Sequence, residues 1–266
     1  MIGFVVPIKP KRFSKDWEYD NKLLERTLKS ITQQTDGGFK VFVVYNDKPE
    51  INFDHSSINW IPYNFPFVEV EGIADYKSVA CEWYKPDYAR KMFDKGRKIS
   101  YGCLFAKKLN CDYIMAIDSD DLISSKIASF VNNDSTNEPG WYINKGFMYN
   151  ENSKILIKNR QLHNVNGSTF IIRHDLVPSV GMDSMNFMDF NFFESHGYLL
   201  LRVEQLYNLK LARLPFYGTI YTIHQNNSSE IFKLFNAPKI KKYVKYLLFG
   251  KLITYKIRIE FNLTKP

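Results

Sequence analysis

Cysteine is scarce in this sequence: Cys81, Cys103 and Cys111 are its only three. An odd number, with neither CxxC spacing nor a neighbouring histidine cluster, argues against a disulfide framework or a zinc site and points to a reducing, cytoplasmic compartment. Long apolar runs are missing too. None reaches the roughly 18 residues that would span a bilayer. The opening run Ile2 to Ile8 is too short for a signal peptide and lacks the basic n-region and small-residue cleavage site. Internal repeats and low-complexity tracts are absent as well. Acidic residues nearly vanish at the C-terminal end, where residues 233–266 carry nine Lys and Arg against the single acid Glu260. The formal net charge of +8 therefore belongs to that tail, because the preceding 232 residues balance to zero. With a neutral body and no recognised binding motif, no nucleic-acid partner is expected.

What is present suits a packed α/β protein. Apolar residues make up 45% of the chain, with 21 Phe and 17 Tyr, enough to fill a sizeable core in 266 residues. The first 120 residues alternate strand-like and helix-like segments, the pattern of a parallel sheet covered by helices. Ile2 to Ile8 and Phe39 to Tyr45 read as buried strands, the second ending at the turn signal Asn46-Asp47-Lys48-Pro49. Leu23, Leu24, Thr27, Leu28 and Ile31 fall at helical spacing within 18–34. Short strands are expected around Trp60-Ile61 and at Phe67 to Val70, and helices near 76–94, over 100–109 and over 124–132. Tyr113 to Asp118 reads as another buried strand. Beyond the polar loop 133–140 the pattern predicts a hairpin over 141–157, strands at 168–173, 211–214 and 219–223, and a helix at 198–209. These features divide the chain into 1–132, 133–232 and the basic tail 233–266.

The densest chemistry lies at Asp118-Ser119-Asp120-Asp121, where a buried strand ends. Open α/β sheets bind ligands at that end of their strands. Asp118 and Asp120 fall on one side of an extended chain, so both can reach one divalent cation. Mg2+ or Mn2+ takes oxygen ligands and leaves positions for substrate phosphates, which suits a nucleoside diphosphate. The same four residues also read as a solvated turn or helix cap ahead of Ser124-Ser125. An EF-hand lacks its Gly and Glu here, and a haloacid-dehalogenase-like phosphatase would carry its aspartates nearer the N-terminus.

Four blocks together resemble the GT-A glycosyltransferases, particularly the family-2-like bacterial enzymes that build surface polysaccharides. Val5-Val6-Pro7-Ile8 is similar to their first strand, Val44-Tyr45-Asn46-Asp47 to the end of their second, and Ile117-Asp118-Ser119-Asp120-Asp121 to their DxD element. Leu211-Ala212-Arg213-Leu214-Pro215, then Tyr221 and His224-Gln225-Asn226-Asn227-Ser228, is similar to their terminal block. The resemblance implies a Rossmann-like GT-A fold with a mixed central sheet. It implies a hexosyltransferase-type enzyme moving a sugar from a nucleotide-diphosphate donor to a hydroxyl of a glycan or lipid-linked acceptor. It places Pro7, Asp47, Lys98, Asp118 and Ser119 at the nucleotide sugar, and Asp118, Asp120 and His224 at Mn2+ or Mg2+; a neutral imidazole is a competent ligand.

The sequence departs from the family at the base that would deprotonate the acceptor. Where relatives carry an acidic pair ahead of the Leu-Pro strand, this chain has His196-Gly197, with Glu194, Asp189 and Asp183 upstream. His196, Glu194 and Asp189 are the candidates; a retaining enzyme would need no base of this kind. Asn166-Gly167-Ser168-Thr169 fits a tight backbone approach on the acceptor side, where Trp141 and Tyr142 are placed to stack on a sugar.

In the tail, Ile240, Tyr243, Val244, Leu247 and Leu248 lie at helical spacing opposite Lys239, Lys241, Lys242 and Lys245. A cationic amphipathic helix of this kind binds an anionic membrane surface, which would hold the protein at the inner face of the cell membrane; packing of its apolar face on the body is the other reading. After Gly250, Ile253, Tyr255, Ile257, Ile259, Phe261 and Leu263 alternate with polar residues and predict a strand or extended arm.

Overall fold

The computed structural model describes residues 1–75, 86–151, 153–193, 196–224 and 248–264. Its centre is β1 (Ile2–Pro7), buried along its whole length because every residue faces either a helix layer or a packed loop. β2 (Phe39–Tyr45) and β4 (Tyr113–Ala116) flank it in parallel, and β3 (Ile58–Pro62) continues the sheet beyond β2. On the other side β9 (Phe170–Arg173) pairs antiparallel with β4 and with β6 (Gly140–Tyr142), and β10 (Ala212–Arg213) closes the edge parallel to β6. The sheet order β10-β6-β9-β4-β1-β2-β3 is mixed, as expected for this α/β chain.

A second sheet, β12-β8-β7-β11-β5, is formed by β5 (Leu122–Ile123), β7 (Gly146–Asn150), β8 (Ile155–Asn159), β11 (Thr219–Ile223) and β12 (Gly250–Leu252). β5 from the first half of the chain thus pairs with β11 from the second, and the sheets do not divide at residue 132. The predicted hairpin over 141–157 is split: β6 joins the first sheet, and the antiparallel pair is β7 with β8.

Helices cover the first sheet. α1 (Trp17–Thr32) starts at Asp16, whose carboxylate accepts the Tyr19 N–H, and buries Leu23, Leu24, Thr27, Leu28 and Ile31 as its spacing predicts. The two helices expected near 76–94 and 100–109 form one, α2 (Pro86–Lys108); residues 76–85 lie outside the described residues. Gly96, Arg97 and Lys98, in the polar stretch that separated them in the sequence, are interior instead. Arg97 and Lys98 are buried among Tyr63, Phe65, Phe93 and Phe190, and Gly96 lets the turn Phe187–Phe190 close on the helix. A Cβ at Gly96 would stand 2.0 Å from the Phe190 carbonyl oxygen. The strand expected at Phe67 to Val70 does not form; the chain there ends in a 3-10 turn, Val70–Gly72. α3 (Ile127–Asn132) and α4 (Leu199–Tyr207) fall where periodicity placed them.

The lysine-rich stretch 239–247 lies outside the described residues, but the end of the tail does not. β12 pairs with β8, and the segment expected to be extended is a helix, α5 (Tyr255–Phe261), started by the Thr254 hydroxyl accepting the Ile257 N–H. Ile257 and Phe261, four residues apart, pack with Leu122, Phe147, Leu156 and Ile220, whereas Tyr255 and Ile259 face outward. Alternation in the sequence was compatible with a strand only because alternate residues of the helix happen to be apolar.

Candidate functional site

A cavity of about 470 Å3 opens where β1 and β4 end. It is lined by Pro7 to Pro10 after β1, by Asp94, Lys95 and Lys98 on α2, and by Asp118, Ser119 and Asp120 after β4. Asn166 and Gly167 ahead of β9, with Tyr221 and His224 from β11 and its end, close the other side. Topology explains the convergence: β1 and β4 are parallel neighbours, so their C-terminal ends meet at one edge, and β11 delivers His224 across from them. His224, some hundred residues after Asp120, bonds its Nε2 to Asp120 Oδ2 at 2.9 Å.

The DxD loop is braced from beneath by a carboxylate. Asp121 is fully buried and accepts hydrogen bonds from Asn166 Nδ2 at 2.7 Å, from Ser168 Oγ at 2.6 Å and from the Thr222 N–H at 3.2 Å. Ser168 Oγ in turn accepts the Asp118 N–H at 2.8 Å, so one hydroxyl ties the loop to the strand before and after it. Burial, with the charges of Asp120 and Asp118, pushes the Asp121 carboxyl well above the ordinary range despite these donors. Asp120 goes the other way. Burial opposes its charge, but the hydrogen bond and charge of His224, with Lys9 and Lys95, hold it below the usual carboxylate value.

Several of the remaining charges are paired. Lys95 Nζ lies 2.6 Å from Asp118 Oδ1 and Lys9 Nζ lies 2.7 Å from Asp20 Oδ2. Lys98, 1% exposed, donates to the Ile8 carbonyl at 2.8 Å and to Asp94 Oδ2 at 2.7 Å, which straps α2 to the end of β1. Burial lowers its pKa, partly offset by Asp94. Behind His224, Tyr19 sets its ring edge-on at 5.7 Å and bonds Glu151, which pairs with the buried Arg26 at 2.7 Å.

No family model matches the chain, and no curated protein matches it. Among solved structures it is similar to S. aureus TarS. With TarS 1-349 it shares 12% identity over 83% of this chain and 60% of that one, at a TM-score of 0.45. With TarS 1-349 in complex with UDP-GlcNAc the identity is 14% over 93% of this chain and 64% of that one, at 0.44. A Desulfovibrio desulfuricans G20 protein described as a nucleotide-diphospho-sugar transferase matches at 8% identity over 93% of each chain, at 0.36. The chain spans less than two thirds of the length of TarS 1-349.

Of the residues expected at the donor, Pro7, Lys98, Asp118 and Ser119 line the cavity, as do Asp120 and His224. Asp47 does not; it accepts the Lys11 N–H at 2.7 Å and so fixes the turn after β1 from outside. Asp118, Asp120 and His224 supply oxygen and imidazole donors of the kind Mn2+ and Mg2+ accept. Among the described residues no group of three or more His, Cys, Asp or Glu is arranged to hold a metal ion, and Asp118 turns toward Lys95. Of these three, Asp120 and His224 are the two whose donor atoms lie together, 2.9 Å apart.

At the expected acceptor end, Asp189 is exposed, bonds the Ser184 hydroxyl and does not line the cavity. Asp183 is exposed as well. Glu194 and the side chain of His196 lie outside the described residues. Trp141 is 2% exposed against Tyr113 and Phe130 in the core, so it does not stack on a sugar. Tyr142 is buried too, accepting from Arg213 Nε at 2.6 Å. Sequence reasoning missed Lys95 and the brace at Asp121. A lysine amid the helix signals of α2 reads as solvated, and the third acid of a run reads as part of a turn.

Proposed function

We propose that the chain transfers a sugar from a nucleotide-diphosphate donor to a hydroxyl of a glycan or lipid-linked acceptor, with Mn2+ or Mg2+ at Asp118, Asp120 and His224. The observation that carries this reading is the convergence of Asp118-Ser119-Asp120 and His224, distant in sequence, on one cavity at the carboxyl ends of parallel strands. TarS has been solved with UDP and with UDP-GlcNAc, which makes uridine donors the first to try.

In this reading Pro7 to Pro10, Lys98 and Asp118 seat the nucleoside, and Asp120 with His224 faces the diphosphate. The bound cation supplies charge neutralisation for the departing diphosphate. The Asp121 brace holds the two carboxylates in place without reorganisation, which is the property that makes fixed charge effective in catalysis. Where the transfer inverts and needs a base, Glu194 and His196 are the candidates kept for it, while Asp189 does not line the cavity.

A melting-temperature screen of UDP-, GDP-, dTDP- and CMP-sugars, each with and without Mn2+, tests the donor, because a ligand present at 100 times its Kd stabilises by about 2.7 kcal/mol. One donor class should raise the melting temperature by several degrees, with Mn2+ adding to it, and Asp120→Ala should abolish the Mn2+ increment. Equal curves for all donors would dismiss the reading.

A further inference from the structure

We propose that Lys95 is a diphosphate-binding residue that exchanges partners, releasing Asp118 when a nucleoside diphosphate enters; this rests on the donor reading above. Five lysines line the cavity: Lys9, Lys15, Lys91, Lys95 and Lys98. Two have fixed duties. Lys98 is buried and held by the Ile8 carbonyl and Asp94, and Lys9 pairs with Asp20. Lys15 and Lys91 are exposed at the mouth. Lys95 alone among them bonds a carboxylate of the DxD element, at 2.6 Å, with side-chain exposures of 28% and 31% for the pair.

Three features suit it to exchange. The pair is part-exposed, so water can reach both charges as they separate. Its open face is kept clear by Gly167: a Cβ there would lie 3.7 Å from both Lys95 Nζ and Asp118 Oδ2, and a longer side chain would cover both. The ammonium also sits on a flexible four-carbon stem, one turn along α2 from the immobilised Lys98, so it can follow a phosphate oxygen while the helix stays still. A divalent ion that draws on Asp118 places like charge beside Lys95, and a diphosphate offers that ammonium a stronger partner. The carboxylate thus passes from the internal cation to the divalent one as the lysine passes to the phosphate.

Two titrations on the full chain test this, with whichever of UDP, GDP and dTDP shifts the melting temperature most. In Lys95→Met, calorimetry without metal should show that nucleotide binding at least tenfold weaker, and Mn2+ alone, followed by electron paramagnetic resonance, should bind at least threefold tighter. Lys95→Arg should restore most of the nucleotide affinity. Unchanged nucleotide affinity in Lys95→Met, or loss of both ligands together, overturns the inference while leaving the donor reading standing. A wild-type chain that binds none of the three nucleotides overturns both.

Discussion

Asp121 is a buried carboxyl that three donors reach, two of them 45 and 47 residues further along the chain, yet burial beside Asp120 and Asp118 still pushes it toward its neutral form. The two described thiols are pushed the same way, by burial. Burial pushes the Cys103 thiol up to about 12 and the Cys111 thiol up to about 11. An unfolded thiol ionises near about 8.5, so the unfolded chain releases these protons first. The neutral thiols' contribution to stability is therefore complete below that pH and is lost as pH rises through about 11 and about 12. In Cys81→Ser protein at pH 8, iodoacetamide should modify neither remaining thiol until urea is added, and then both; mass spectrometry reads the count.

At the scale of elements, α5 sets apolar periodicity against packing. A strand would place Tyr255, Ile257, Ile259 and Phe261 on one face, but the helix places only Ile257 and Phe261 inside. Phe261 is 1% exposed and lies 6.0 Å from the Phe147 ring, so Phe261→Ala should cost about 3–5 kcal/mol in urea unfolding. Ile259→Ala, at a position 54% exposed, should stay within about 0.5 kcal/mol. Equal costs would restore the extended reading. Elements with a strong single signal were legible: β1, β2, β4, α1 and α4 fall where the pattern put them. Those that failed, α2 at Lys95 to Lys98 and the tail at 253–263, carry polar or alternating residues whose burial depends on partners far along the chain.

For the whole molecule, charge and fold are distributed differently. The basic excess lies in 233–266, yet β12 and α5 belong to the second sheet and its core. Among the described residues no helix is long and apolar enough to cross a membrane. Lys251, Lys256 and Arg258 are exposed, as are Leu248, Phe249, Leu252 and Tyr255. Because removal of residues 233–266 would strip the core of Ile257 and Phe261, charge reversal tests the surface better than truncation. Glu at Lys239, Lys241, Lys242 and Lys245 should reduce co-sedimentation with phosphatidylglycerol vesicles at low salt by about 1 kcal/mol of binding per lysine or more. Sedimentation equal to wild type would dismiss the expectation of membrane association.

The sequence by itself determined the alternation that makes a parallel sheet, the burial of β1 and β4, and the position of the Asp118-Ser119-Asp120 loop at a strand end, because each is a local consequence of apolar pattern and turn residues. Only tertiary structure decided what surrounds those carboxylates. Lys95 on Asp118, His224 on Asp120 and the side-chain donors on Asp121 come from α2, from the end of β11 and from the loop before β9. Such pairings depend on which elements lie side by side in space, and a helix lysine or a loop asparagine looks the same in the sequence whether it meets water or a carboxylate.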